Sequence, residues 1–312
     1  MRNTIFCGVG LLGILTLQGC VDERATVGHE NTTARCKDRI DNDGDGQTDC
    51  DDDACASLDV CDSESELGQT ARFRIFLLLG QSNMVGFPAP LPEEPLPEDT
   101  TADPRVQVLG YDNCESNNRR ADEWAVATPP LHGCGTGLGP GDYFAKTLIM
   151  SLRTGDTIGL VPCAIPGERI ETFMKDEGSK YEWIIERAGI AQQSGGTIDG
   201  ILFHQGESNN IEADWPQKVA RLVSDLKADL DLDDIPFVAG ELLYTGSDAA
   251  HNILVRMLPD IIPNALVVSA EGLVVDPRDT EWHAHFDHDS QIEIGKRYAE
   301  AMIEALESLS DL

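Results

Sequence analysis

The chain has 312 residues, 41% of them apolar and 25% charged, which suffices for a packed core and excludes global disorder. Against 55 Asp and Glu stand 23 Lys and Arg, a formal net charge of −32 at pH 7. Such a surface repels phosphate backbones and anionic lipid alike, which argues against a nucleic-acid partner and against docking on a membrane through a basic patch.

In chain order, residues 1–20 read as an export signal. One basic residue, Arg2, precedes an apolar stretch from Ile5 to Leu17, too short to span a bilayer. The ending Leu17-Gln18-Gly19-Cys20 resembles a bacterial lipobox. That resemblance implies cleavage before Cys20, acylation of its thiol, and an exported lipoprotein held at the cell envelope only by its lipid. Residues 21–34 are polar and read as a tether.

Residues 35–66 form a Cys- and Asp-rich module with almost no apolar side chains, so disulfides or metal must hold it. Asp41, Asp43 and Asp45 alternate, Gly46 follows, and Asp49 and Asp52 occupy the ninth and twelfth positions. With the backbone carbonyl of Gln47 at position seven, this fits the calcium-loop template. The segment resembles thrombospondin-type or dockerin-like calcium repeats, and structural calcium is expected there. Of nine cysteines, Cys7 leaves with the signal and Cys20 is taken by lipid. Export permits disulfides among the rest. Two are expected among Cys36, Cys50, Cys55 and Cys61, in a pairing left open, and one across the loop between Cys114 and Cys134. Cys163 remains a buried thiol.

From residue 71 to 312 the pattern becomes that of an α/β domain. Apolar runs at Phe73–Leu79, Val106–Leu109, Ile158–Pro162, Ile198–Phe203, Phe237–Ala239 and Leu266–Ser269 predict strands. Amphipathic stretches at Asp142–Leu152, Glu182–Gln192, Trp215–Asp229, Asn252–Ile261 and Ser290–Leu309 predict helices. Continuous apolar strands alternating with helices indicate a mostly parallel sheet covered on both faces. In such sheets ligands bind beyond the carboxyl ends of the strands.

The residues after the strands carry the chemistry. Gly80-Gln81-Ser82-Asn83-Met84 follows the first strand and presents Ser82 on a tight turn into a helix, without the second glycine of a G-x-S-x-G elbow. The glycine-rich turn Gly135-Thr136-Gly137-Leu138-Gly139-Pro140-Gly141 opens a helix. His204-Gln205-Gly206-Glu207-Ser208 ends another strand, and His283-Ala284-His285-Phe286-Asp287 precedes Gly295-Lys296-Arg297-Tyr298-Ala299 on the last helix. A serine, a backbone N–H turn, an amide and a histidine, each after a different element, are the parts of an acyl-transfer site.

Together these four motifs resemble the SGNH-type carbohydrate esterases, in particular carbohydrate esterase family six and the sialate O-acetylesterase-like proteins. The resemblance implies a flavodoxin-like α/β/α sandwich and cofactor-free hydrolysis of O-acetyl esters on sugars, acetyl xylan ahead of sialic acid. It makes Ser82 the nucleophile and His285, ahead of His283, the general base. The Ser82 N–H, the Gly137 N–H and the Gln205 side-chain amide become the oxyanion donors.

The family's acid usually stands three residues before the histidine, where this chain has Trp282. Asp279 is then the first choice, Glu281 the second, and a Ser–His dyad the remainder. Glu207 reads equally as a substrate contact or as a buried hydrogen-bonding group. His132 and His204 read as loop histidines, and no zinc-ligand spacing joins them. Among the tryptophans, Trp282 is the one expected at the site. Two rival readings are a surface carbohydrate-binding protein that has lost catalysis and a short-chain esterase of non-sugar acetates.

Overall fold

The computed structural model describes residues 71–86, 97–232, 234–245 and 248–310, together with Cys36, Gln47, Asp52 and Cys55. Two compact units divide the chain, Met1–Thr70 and Ala71–Leu312. In the first, buried Cys36 and Cys55 form a disulfide, and the Cys55 N–H donates to the Asp52 carbonyl at 3.0 Å. The signal segment, Cys20, the tether, Asp41, Asp43, Asp45, Asp49, Cys50 and Cys61 lie outside the described residues.

The second unit is built on a seven-stranded sheet. Its strands are β1 (Phe73–Gly80), β2 (Val106–Leu109), β3 (Trp124–Val126), β4 (Thr157–Ala164), β5 (Thr197–His204), β6 (Phe237–Gly240) and β7 (Ala265–Val268). They are ordered β3-β2-β4-β1-β5-β6-β7, all neighbours parallel except β2 and β3. Strands β4-β1-β5-β6-β7 reproduce the flavodoxin-like order, and β2 with β3 extends one edge. The strand order reverses beside β1, so the crevice opens between β1 and β5 at their carboxyl ends.

The apolar runs are continuous because both faces are covered. Along β1, Ile75, Leu77 and Leu79 enter one core while Phe76 and Leu78 enter the other, as the two-residue period requires. Five longer helices are α1 (Pro140–Leu148), α2 (Tyr181–Gln193), α3 (Trp215–Asp229), α4 (Asp248–Val255) and α5 (His288–Ser310). Helix α2 contributes Tyr181, Ile184, Ala188 and Ala191 to the first core, and α3 adds Trp215, Val219, Leu222 and Leu226. Helices α1 and α5 close the second core with Phe144, Leu148, Ile294, Tyr298 and Met302. These are i+3 and i+4 stripes, the apolar faces that burial selects.

Two elements differ from expectation. The helix expected over Asn252–Ile261 is instead α4 and a separate turn, Leu258–Ile261. Pro259 separates them, because it has no N–H to donate and its ring clashes with the carbonyl four residues back. Strand β3 was not foreseen: three residues on an antiparallel edge leave no periodicity to read. The Cys114–Cys134 disulfide forms across its loop, and Cys163 is a buried free thiol in β4.

Arg187 on α2 ties helix to sheet. It is buried and donates to the carbonyls of Leu109 (3.0 Å), Gly110 (3.1 Å) and Pro162 (3.1 Å) and to the Asp122 carboxylate (2.6 Å). Arg187→Leu withdraws donors from three carbonyls at once. It is expected to lower the unfolding free energy by about 3 kcal/mol in urea titrations, with far-ultraviolet circular dichroism unchanged.

Candidate active site

Strand β1 ends at Gly80, whose φ of +137° and surroundings admit no side chain: a Cβ there would lie 2.0 Å from the His204 carbonyl oxygen. That close approach lets the Gln81 N–H donate to the same oxygen at 2.9 Å, fastening the turn after β1 to the end of β5. Ser82 then opens the short helical turn Ser82–Val85, so its own N–H has no acceptor within the turn.

The structure brings Ser82, His285 and Asp279 into one hydrogen-bonded chain. Ser82 Oγ lies 2.9 Å from His285 Nε2, and His285 Nδ1 lies 2.8 Å from Asp279 Oδ2. The three are only 4%, 6% and 4% exposed. Asp279 also accepts the backbone N–H groups of Trp282 at 3.0 Å, Ala284 at 2.8 Å and His285 at 3.0 Å. Burial pushes its pKa upward, but these donors and the imidazole outweigh burial and hold it well below the usual carboxylate range. An ionised Asp279 keeps the proton on Nδ1, so Nε2 is the acceptor that faces the Ser82 hydroxyl.

The six-residue separation between Asp279 and His285 follows from this geometry. The loop wraps around the Asp279 carboxylate and turns back at His283, which has φ +54° and whose carbonyl accepts the Thr245 hydroxyl at 2.9 Å. Glu281 is exposed and stands outside the network, as does the His283 ring. Trp282, in the place of the usual acid, points outward: it is 58% exposed at the cavity and meets the His285 ring edge-on at 5.7 Å.

Two expected oxyanion donors are engaged elsewhere. The Gly137 N–H donates to the Gly86 carbonyl at 2.7 Å, so Gly137 braces the loop behind the serine. The Gln205 amide is buried; its Nε2 donates to Asn209 Oδ1 at 2.7 Å, Gln81 Oε1 at 3.2 Å and the Glu168 carbonyl at 3.3 Å, while its Oε1 accepts the Trp215 indole N–H at 2.6 Å. Sequence reasoning missed Gln81, next to the serine. Gln81 Oε1 accepts from Gln205 and from the Ser208 N–H at 3.2 Å, which leaves its NH₂ as the end available at the cavity it lines. The signal was the amide at the Gly80–Ser82 turn, but only the fold shows which amide is free.

Asn83 was also missed. Its Nδ2 donates to Glu207 Oε1 at 2.7 Å and to the Ala284 carbonyl at 2.8 Å, and its Oδ1 accepts the Phe286 N–H at 3.0 Å. It therefore grips the backbone on both sides of His285. Glu207 sits behind it, lining the cavity with a side chain 8% exposed. Burial, with the nearby Asp248 charge, raises its pKa to about 7 against the pull of the Asn83 amide and backbone donors. His204 is wholly buried and held neutral by burial, its pKa lowered to about 3. The Tyr298 hydroxyl donates to the Phe203 carbonyl at 2.8 Å, so His204 Nδ1–H donates to that hydroxyl at 3.0 Å. Its Nε2 lies 3.8 Å from Glu207 Oε1. His132 is buried and accepts the Ala164 N–H at 3.4 Å, away from the cavity.

The cavity holds about 870 Å³, within the range of small-molecule sites. Beside the catalytic-type chain it is lined by Pro166, Gly167, Asn210, Thr245, Asp248 and Trp282. Among the described residues no group of three or more His, Cys, Asp or Glu is arranged to hold a metal, and no helix is long and apolar enough to cross a membrane. Of the expected calcium ligands only Gln47 and Asp52 are described.

Residues 72–304 match the family described as carbohydrate esterase, sialic acid-specific acetylesterase. The chain belongs to this family. It is therefore grouped with carboxylic ester hydrolases acting on acetylated carbohydrate. A probable carbohydrate esterase of Arabidopsis thaliana is 28% identical over 250 residues, covering 74% of this chain and 90% of that protein. The crystal structure of an Arabidopsis thaliana protein superposes with a TM-score of 0.63 at 25% identity, covering 75% of this chain and 98% of that one. The crystal structure of NanS shares the fold, with a TM-score of 0.61 at 17% identity over 77% of this chain and 99% of that one.

Asp279→Asn presents an amide to His285 Nδ1 and to three backbone donors. Its kcat on 4-nitrophenyl acetate is expected to fall by about 10³- to 10⁴-fold. Glu207 gives a second test through pH. Its folded pKa is raised, so the native state binds the extra proton between the unfolded carboxylate range and about 7, and stability falls as pH rises through that window. Glu207→Gln removes this contribution; guanidinium melts from about pH 4.5 to 7.5 should show the variant gaining on the wild type.

Proposed function

We propose that this member of the family is a serine esterase that removes O-acetyl groups from carbohydrates through an acetyl-enzyme. The observation that carries the reading is the Ser82–His285–Asp279 chain at the wall of a cavity of about 870 Å³. Ser82 Oγ attacks the acetyl carbonyl carbon as its proton passes to His285 Nε2. The tetrahedral intermediate collapses, the bond from carbon to the sugar oxygen breaks, and His285 returns the proton to that oxygen. A water molecule then attacks the acetyl-serine, losing its proton to His285, and acetate leaves as Ser82 recovers its hydroxyl.

Asp279 holds the imidazole in the required tautomer and stabilises its charged form. The Ser82 N–H and the Gln81 NH₂ are the donors proposed for the developing oxyanion, each of a kind whose loss costs about 10²- to 10³-fold in rate. The binding-protein rival draws on Trp282 in the acid's place and on the calcium module; Asp279 against His285 removes the first ground. The lipid anchor at Cys20, the envelope location and the calcium module remain part of the proposal on their sequence spacing.

Ser82→Ala is expected to lower acetate release from an acetylated oligosaccharide by at least about 10⁴-fold. Acid-quenched intact-mass measurement of the wild type during turnover should show the chain carrying one added acetyl group, absent in the variant. Undiminished release by Ser82→Ala would overturn the assignment.

A further inference from the structure

The cavity contains a carboxylate that the proposed chemistry does not use. Asp248 opens α4, with its N–H donating to the Thr245 carbonyl at 3.2 Å, and lines the cavity together with Ser82 and His285. It is 8% exposed, and its carboxylate accepts no hydrogen bond from any described residue. Desolvation is its main burden and the charge of Asp279 adds to it, with the Glu207 carboxyl close by. Among the described residues no lysine or arginine lines the cavity. Arg169, which donates to the carbonyl of the lining residue Ser208, is engaged by Glu171 and Glu212.

With no protein donor and its oxygens open only to the cavity, this carboxylate must be met from the cavity side, so a ligand that displaces solvent there has to supply a donor in its place. Sugar hydroxyls are such donors. A ligand carboxylate is the reverse case: it would stand beside a carboxylate of its own sign, with no described lysine or arginine in the cavity lining to pair with.

We infer that Asp248 is the acceptor for a substrate hydroxyl, and that it makes the site select uncharged O-acetylated sugars over O-acetylated sugar acids. The inference rests on the esterase reading of the same site and narrows it, since the family's description names a sugar acid. Burial raises the Asp248 pKa to about 6, so assays at about pH 8 keep the carboxylate ionised.

The test is the ratio of kcat/KM for an acetylated neutral xylo-oligosaccharide to that for an O-acetylated sialic acid, in the wild type and in Asp248→Asn. Hydrolysis of 4-nitrophenyl acetate by the wild type shows that the esterase machinery works. The wild-type ratio should favour the neutral sugar by about 10- to 100-fold, and Asp248→Asn should shrink it about tenfold, with the neutral sugar losing in KM and the sugar acid gaining. Added salt should raise kcat/KM for the sugar acid in the wild type, because it screens the repulsion. A wild type that cleaves 4-nitrophenyl acetate yet treats the two sugars alike, or prefers the sugar acid, overturns this inference and leaves the esterase reading standing. So does a ratio that Asp248→Asn leaves unchanged. No hydrolysis of any of the three substrates overturns both.

Discussion

The approach of β1 to β5 at their carboxyl ends is the constraint on which the site depends. With no side chain on Gly80, the His204 carbonyl comes close enough to accept the Gln81 N–H, and the two strand ends become one platform. Ser82 and Asn83 leave that platform from one strand, and Gln205 and Glu207 leave it from the other. The amide of Gln205 then fixes the amide of Gln81, and Asn83 reaches Glu207 on one side and the backbone of Ala284 and Phe286, flanking His285, on the other. A larger residue at position 80 would separate the strand ends and move all of these groups at once.

Two buried carboxyl groups near the serine are driven in opposite directions. Asp279 accepts three backbone N–H groups and an imidazole, and such donors stabilise the charge more than burial penalises it. Glu207 has the Asn83 amide and backbone donors but faces Asp248 and neutral His204, so burial prevails and the proton is held more tightly. The first supplies a fixed negative charge behind the histidine. The second takes up its charge only as pH rises through about 7.

Most of the fold was legible in the sequence because a sheet covered on both faces must be made of continuous apolar runs, and these stand out between amphipathic helices. Trp215–Asp229 could be bounded to the residue. The elements that escaped are those with weak local signals: β3 has three half-exposed residues, and the break at Pro259 lies inside an otherwise helical pattern. Ser82 and His285 were legible because one sits just after the first strand and the other just before the last helix, each in a motif that resembles the family's. Asp279 was harder. Its partner lies six residues away, and the loop that closes the distance is organised by the carboxylate itself, a relation no spacing rule encodes.

By itself the sequence determined the sheet-and-helix alternation, the crevice where chemistry would be found, and the kinds of side chain present there. Those follow from burial and from the direction of the chain, which act locally. Only the tertiary structure decided which group each donor meets. Gly137 and Gln205 have the right chemistry for an oxyanion donor, yet the first bonds to Gly86 and the second to Gln81, Asn209 and Trp215. Hydrogen bonding saturates: a donor engaged by a residue far along the chain is not available to a ligand, and that partner is known only when distant segments are in place.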